Sequence, residues 1–337
     1  MSTRTVEATA PCRVDLAGGT LGGWPLELLP PGAVSVSAAI DRRAWCRVER
    51  DVEGVHVASK DTLQKASTAT VTELIENGRL PLVAQVLRVL GVETGLSVET
   101  WSRVPLESGL GASSALAVAV GAAVSTVLGR ALAPERLWLL LREAEEAWIA
   151  GQPTDVQDYA PALHGGVQAV HVEQGTVRAE ALSVDPARVE ESLLLIDAGD
   201  GGTGESVPGE ALSRPAAVDE ATRKALERIA SIARSTREAL VEDRLDDVVE
   251  LFGEEWEARK RLDPEITTPQ MDRLAAVASA AGGAAKPCGP GGRGVAAVWA
   301  PPGARAPGRR EAVSEALAAA GFRVFRARVD LRGLEVE

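Results

Sequence analysis

Pro105-Leu106-Glu107-Ser108-Gly109-Leu110-Gly111-Ala112-Ser113-Ser114-Ala115 is a glycine- and serine-rich turn between two apolar patterns of different period. Before it, Leu96-Ser97-Val98-Glu99-Thr100-Trp101 alternates as a strand does. After it, the run from about Ala115 to Leu128 is nearly all apolar, which predicts a helix buried on every side. Glycines let backbone N–H groups turn toward an anion, and a following helix N-terminus adds the positive end of its dipole. Ser113 and Ser114 put hydroxyls at that N-terminus, where they either cap the helix or reach a metal bound to phosphate. The chain has no Gly-x-x-x-x-Gly-Lys-[Ser/Thr] run, so a phosphate-binding turn here is not of the Walker kind.

Upstream, the pattern is of strands: Val14 and Leu16, then Val34, Val36 and Ala38, then Ala44–Val48 and Val55–Val57, with Asp51 and Gly54 marking a turn. Pro81 opens an amphipathic helix through Val83, Val86, Leu87 and Leu90. Downstream, a helix is expected from about Pro134 to Ala150, and short strands at Val167–Val172, Val177–Leu182 and Leu193–Ile196. Residues 215–280 read as helical, with Leu226, Ile229, Ile232, Ala233 and Leu240 on one face. A second glycine-rich turn at 289–294 leads into a strand, Val295–Trp299, then a helix at about 309–320 and a last strand at Arg323–Val329. Mixed strands and helices without a repeat of 20–50 residues predict an α+β enzyme. The turn at Gly289, Gly291 and Gly294 also matches Gly-x-Gly-x-x-Gly. A dinucleotide site needs a strand before it and a helix after it, whereas a helix is expected before and a strand after.

With 337 residues, roughly two domains are expected. They divide here as 1–185 and 186–337. The net charge of −12 argues against nucleic acid as a partner, because phosphate neutralisation needs basic surface. Met1–Ala10 carry no apolar run of signal-peptide type, and no apolar stretch is long enough to predict a membrane span. Cys12, Cys46 and Cys288 are far apart and odd in number. They predict neither a disulfide framework nor a metal cluster, and suit a reducing cytoplasm.

Pro-x-x-x-Gly-Leu-Gly-x-Ser-Ser-Ala resembles the phosphate-binding signature of the GHMP kinases (galactokinase, homoserine kinase, mevalonate kinase, phosphomevalonate kinase). Two further segments agree in order. Ala10-Pro11-Cys12-Arg13-Val14-Asp15-Leu16-Ala17-Gly18-Gly19-Thr20 is similar to the substrate motif in the form found in heptose-phosphate and fucose kinases. Lys286-Pro287-Cys288-Gly289-Pro290-Gly291-Gly292-Arg293-Gly294 resembles the C-terminal glycine-rich motif. The resemblance runs from about residue 8 to 330. It implies the GHMP kinase-like two-domain fold with the active site in the cleft between the domains, and transfer of a phosphoryl group from ATP, with Mg²⁺, to a hydroxyl of a sugar or sugar phosphate. A mevalonate-pathway or homoserine-type kinase and a non-catalytic sugar- or nucleotide-binding paralogue are the alternatives. No membrane is implied, and homodimerisation is left open.

Site roles follow from the same resemblance. Pro105, Glu107, Ser108, Gly109, Leu110, Gly111, Ala112, Ser113 and Ser114, with Gly289 and Gly291, would hold the nucleotide. Gly18, Gly19, Thr20, Gln157 and Tyr159 would meet the substrate. Asp158, in family register counted back from Gly165, would be the general base, and Arg13 would stabilise developing charge. Glu146, in register counted back from Gly151, would bind Mg²⁺ with Ser113. Lys286 either contacts phosphate or caps a helix. Two departures lie on the substrate side: Gly22 stands where the family motif carries an Asp, and Asp197–Ser206 has no Arg where relatives often have one.

Overall fold

A computed structural model describes residues 5–22, 29–104, 108–149, 156–173, 176–199, 219–289, 291, 294–303 and 306–337. Within them the chain begins β1 (Thr5–Ala17), α1 (Gly19–Gly22), β2 (Ala33–Arg50), β3 (Val55–Ser59), β4 (Lys65–Thr68), α2 (Val71–Asn77), α3 (Pro81–Val89) and β5 (Leu96–Ser102). It continues α4 (Ala112–Val127), α5 (Pro134–Trp148), α6 (Tyr159–His164), β6 (Val167–Glu173), β7 (Thr176–Ala181), α7 (Pro186–Ser192) and β8 (Leu193–Asp197). The remainder is α8 (Glu220–Val241), α9 (Leu245–Leu262), α10 (Pro269–Ala280), β9 (Ala284–Pro287), β10 (Val295–Trp299), α11 (Arg309–Ala319), β11 (Val324–Phe325) and β12 (Glu335–Val336).

Two sheets organise these elements. The first runs β12-β1-β2-β5-β3-β4, with β6 and then β7 branching from β2. The branch exists because β2 is long: its first half, Ala33–Ala38, pairs with β6, and its second half, Ala44–Arg50, pairs with β5. The second sheet runs β11-β8-β10-β9. Strand β5 buries Leu96, Val98, Thr100 and Ser102 and turns Glu99 and Trp101 outward, as a one-sided sheet requires. Helix α4 covers β1 and β2, and α5 backs α4. Its buried residues run all the way round, so the expectation of an enclosed helix holds. One apolar core joins both sheets: Val14, Leu16, Leu116, Leu195, Phe252, Ala297 and Trp299 belong to a single cluster.

The helical run expected over 215–280 is three helices. It breaks at Asp243, which takes a left-handed conformation, and again before Pro264. Two expectations need correction. Strand β9, not a helix, leads into the 289–294 turn, since Ala284–Pro287 pair antiparallel with Ala296–Trp299. The last strand is also shorter: only Val324–Phe325 join the second sheet, and Val329 makes an isolated bridge to Ile40. The chain then returns to the first sheet, where β12 pairs with β1. Among the described residues no helix is long and apolar enough to cross a membrane.

Candidate active site

Strand β1 carries the first site residues. Its pairing with β2 slips between Pro11 and Cys12 and again between Asp15 and Ala17. Arg13 and Asp15 therefore lie between two irregularities, which re-aim side chains that regular pairing would hold on the pleat. The Arg13 amide donates to Leu110 O at 2.9 Å, joining the strand to the glycine turn.

That turn ends at Gly111, the N-cap of α4, with φ 68°. A Cβ there would lie 3.0 Å from Asp158 Oδ2 and 3.1 Å from Arg13 Cγ, so glycine is required for both conformation and space. The other end, at Gly109, rests against the second glycine-rich turn: a Cβ on Gly109 would lie 2.6 Å from Gly289 N. The two turns thus touch backbone to backbone. Ser108 and Leu110 are buried, and Leu110 N donates to Ser108 Oγ at 3.4 Å. Ala112 is buried at the start of α4 and Gly291 within the second turn. Pro105 and Glu107 lie outside the described residues, as does all of Asp197–Ser206 beyond Gly199.

Asp158 is the N-cap of α6, but its side chain makes no capping bond. It instead accepts from Arg13 Nε at 2.7 Å, with both side chains almost wholly buried. Arg13 also donates through Nη1 to Gly109 O and, at 3.2 Å, to Cys288 O. One guanidinium therefore ties the carboxylate, the first glycine turn and the second glycine turn together. Burial pushes the Asp158 carboxyl above the usual range; Arg13 pulls it back and the nearby Asp15 charge pushes it further up.

The carboxylate that meets the serines is Glu145. Ser114 Oγ donates to its two oxygens at 3.1 and 3.3 Å, and Tyr159 OH donates to Oε2. The neighbouring Ser113 hydroxyl helps to lower its pKa. Burial raises its pKa, which these hydrogen bonds partly offset. Glu146, the residue in family register, is more exposed and pairs with Arg142 at 3.1 Å, one turn back on α5. The helix pattern held the signal: Leu141 and Ala144 are buried, and position 145 falls on that stripe whereas 146 does not.

Among the substrate-motif residues, Gly18 and Gly19 are buried and Thr20 is half-buried. A Cβ on Gly19 would lie 2.6 Å from both Asp15 Oδ2 and Gln157 Nε2, so Gln157 does join this group. Tyr159 does not. Its ring stacks on Trp138 with centroids 6.1 Å apart and its hydroxyl is committed to Glu145. Sequence reasoning passed over Asp15, Glu255 and Arg259. Arg259 donates to Pro287 O at 3.1 Å and Gly289 O at 2.6 Å, holding the second glycine turn.

The stretch from residue 79 to 166, which holds the glycine turn, Glu145 and Asp158, matches the family described as GHMP kinases N terminal domain. Over those residues the chain is similar to a GHMP kinase N-terminal domain. Outside that stretch the likeness continues at the level of fold. A D-glycero-D-manno-heptose 1-phosphate kinase from Bacteroides thetaiotaomicron superposes with a TM-score of 0.76 at 22% identity, covering 98% of each chain. The mevalonate kinase of Methanococcus jannaschii does so with a TM-score of 0.70 at 18% identity, covering 97% of this chain and 98% of its own. A bifunctional fucokinase/GDP-fucose pyrophosphorylase from Arabidopsis thaliana is 25% identical over 93% of this chain. The chain spans only 31% of that relative's length. The GHMP kinase fold is thus shared with kinases of different acceptors, and fold alone does not choose among them.

Proposed function

We propose that this chain transfers the γ-phosphoryl group of ATP to a hydroxyl of a sugar or sugar phosphate, using both halves of the chain, 1–185 and 186–337. The observation that carries the reading is the buried Arg13–Asp158 pair set against Gly111, at the N-terminus of α4. The nucleotide phosphates would lie along the amides of Gly109–Ser114, where α4 presents its positive end. Asp158 accepts the proton of the acceptor hydroxyl. The acceptor oxygen forms the new bond to phosphorus as the bond to ADP breaks, and ADP leaves with that electron pair. Arg13 orients the Asp158 carboxylate and offsets the negative charge gathering beside it.

Ser113, Ser114 and Glu145 offer the hard oxygen donors that suit Mg²⁺. Among the described residues no three His, Cys, Asp or Glu side chains converge, so phosphate oxygens would complete the coordination. Bound there, the ion would neutralise charge on the phosphates. Glu145 would replace Glu146 in this role, because it is the carboxylate joined to Ser114.

The fucokinase and heptose-phosphate kinase likenesses support a sugar acceptor. Gly22 and the missing Arg favour a second reading, a paralogue that binds nucleotide or sugar without turnover. The deciding experiment measures ADP release with ATP and Mg²⁺ over a panel of monosaccharides, sugar phosphates, mevalonate and homoserine. Turnover with one sugar, lost in Asp158→Asn while ATP still binds, is expected. Full activity in Asp158→Asn would reject the assignment. Silence over the whole panel, with ATP bound, would move the weight to the second reading.

A further inference from the structure

Lys286 precedes the second glycine turn, on β9, and its side chain is fully buried. Its ammonium lies 2.9 Å from Asp15 Oδ2 and 2.9 Å from Glu255 Oε1, and both carboxylates are buried as well. Three separate segments meet at this one cation: β1 through Asp15, α9 through Glu255, and β9 through Lys286 itself. Glu255 does a second thing. Its two carboxylate oxygens both lie 3.2 Å from the Gly18 amide nitrogen, which donates to them. One helical turn further along α9, Arg259 holds Pro287 O and Gly289 O.

Burying three charges is costly, and apolar residues of similar volume often serve stability as well or better. A buried ion cluster is better explained by what it orients. Here it orients the backbone of the Gly18–Gly22 turn. Gly18 N–H is fixed by Glu255, Glu255 by Lys286, and Lys286 by Asp15, two residues along β1 from Arg13. The phosphate-type turn is linked by a different cation, Arg13. The charges therefore divide the work: Arg13 holds the first glycine turn and the Asp158 carboxylate, and the Lys286 cluster holds the Gly18 turn.

We propose that Lys286 is a positioning residue, whose ammonium, held between Asp15 and Glu255, sets the Gly18–Gly22 turn for the acceptor. The proposal rests on the kinase reading for its kinetic arm and on geometry alone for its structural arm. The test uses Glu255→Gln and Lys286→Met in the full chain. Glu255→Gln keeps the shape and a carbonyl acceptor for Gly18 while removing the charge that holds Lys286. The acceptor KM is expected to rise roughly tenfold, the size of one lost charge-assisted hydrogen bond, with the ATP KM held within about twofold. In parallel, amide hydrogen exchange is expected to quicken in the peptide over 13–22, at Gly18 above all, and to stay unchanged in α4. If Lys286→Met does not fold, Glu255→Gln carries both arms.

A fall in melting temperature with both KM values unchanged, or rising together, would overturn the proposal by reducing the cluster to a structural role. Unchanged exchange at Gly18 would overturn it as well. If the unmodified protein turns over no panel member, the exchange arm still decides whether the brace exists, and only the kinase reading fails.

Discussion

At Asp158 the environment decides what the residue can do. A loop Asp commonly accepts from its own backbone two residues on. Asp158 makes no such bond and faces Arg13 instead. Burial raises its pKa while Arg13 lowers it. As a proton acceptor it must be ionised, so turnover should fall on the acid side at a pH above the ordinary aspartate range. Arg13→Met removes the lowering influence, so a pH–rate profile should show the acid limb moved further up in pH as well as a lower plateau. An acid limb that stayed put would mean that Asp158 is not the titrating group. A second comparison separates neighbouring carboxylates. Glu145→Gln should raise the Mg²⁺ concentration needed for half-maximal ADP release by at least about tenfold, as lost metal-site partners typically do. Glu146→Gln should leave it unchanged, since that side chain pairs with Arg142.

At the scale of elements, two junctions matter. The glycine turn meets the β9–β10 turn at Gly109, whose φ is 79° and whose Cβ would sit 2.8 Å from Gly289 Cα. Gly109→Ala should cost about 1–3 kcal/mol from backbone strain and lower ATP affinity together, measurable by urea melts and calorimetric titration. The second junction ties α8 to β7. Arg237 Nε donates to Glu180 Oε2 at 3.0 Å, and His171 Nε2 shares the same oxygen at 2.6 Å. The hydrogen bond from Arg237, helped by the one from His171, draws the Glu180 pKa from 4.5 down to about 2. A depressed carboxyl pKa gives stability that is complete above the unfolded value and lost as pH falls through the folded one. Arg237→Met should therefore cost about 1 kcal/mol at neutral pH, and the cost should shrink below the unfolded pKa and vanish once the pH falls under about 2, by denaturant melts across that range.

For the whole molecule, the apolar core passes from one sheet to the other without a break. Phe252 on α9 tilts on Trp299 of β10, ring centroids 5.8 Å apart, and Lys286 Nζ lies 5.1 Å from the Phe252 ring. Halves sharing a core this way should unfold together. Calorimetry and a probe placed in either sheet should report one coincident transition. Phe252→Ala should lower stability by about 3–5 kcal/mol and shift both probes equally.

What the sequence by itself determined was local: the strand before Pro105, the buried helix after Gly111, and the glycines where backbone must turn. Period and turn chemistry act over a few residues, so they show in any short window. It also marked Asp158 and Arg13 as candidates, because each sits inside a recognisable segment. Only the tertiary structure decided which acid faces Ser114, since Glu145 and Glu146 differ by the rotation of one residue on α5. Only it brought Asp15, Glu255 and Lys286 together, from segments 31 to 271 positions apart. The physical reason is that a buried charge is tolerated only beside its partner, and no neighbour in sequence supplies that partner.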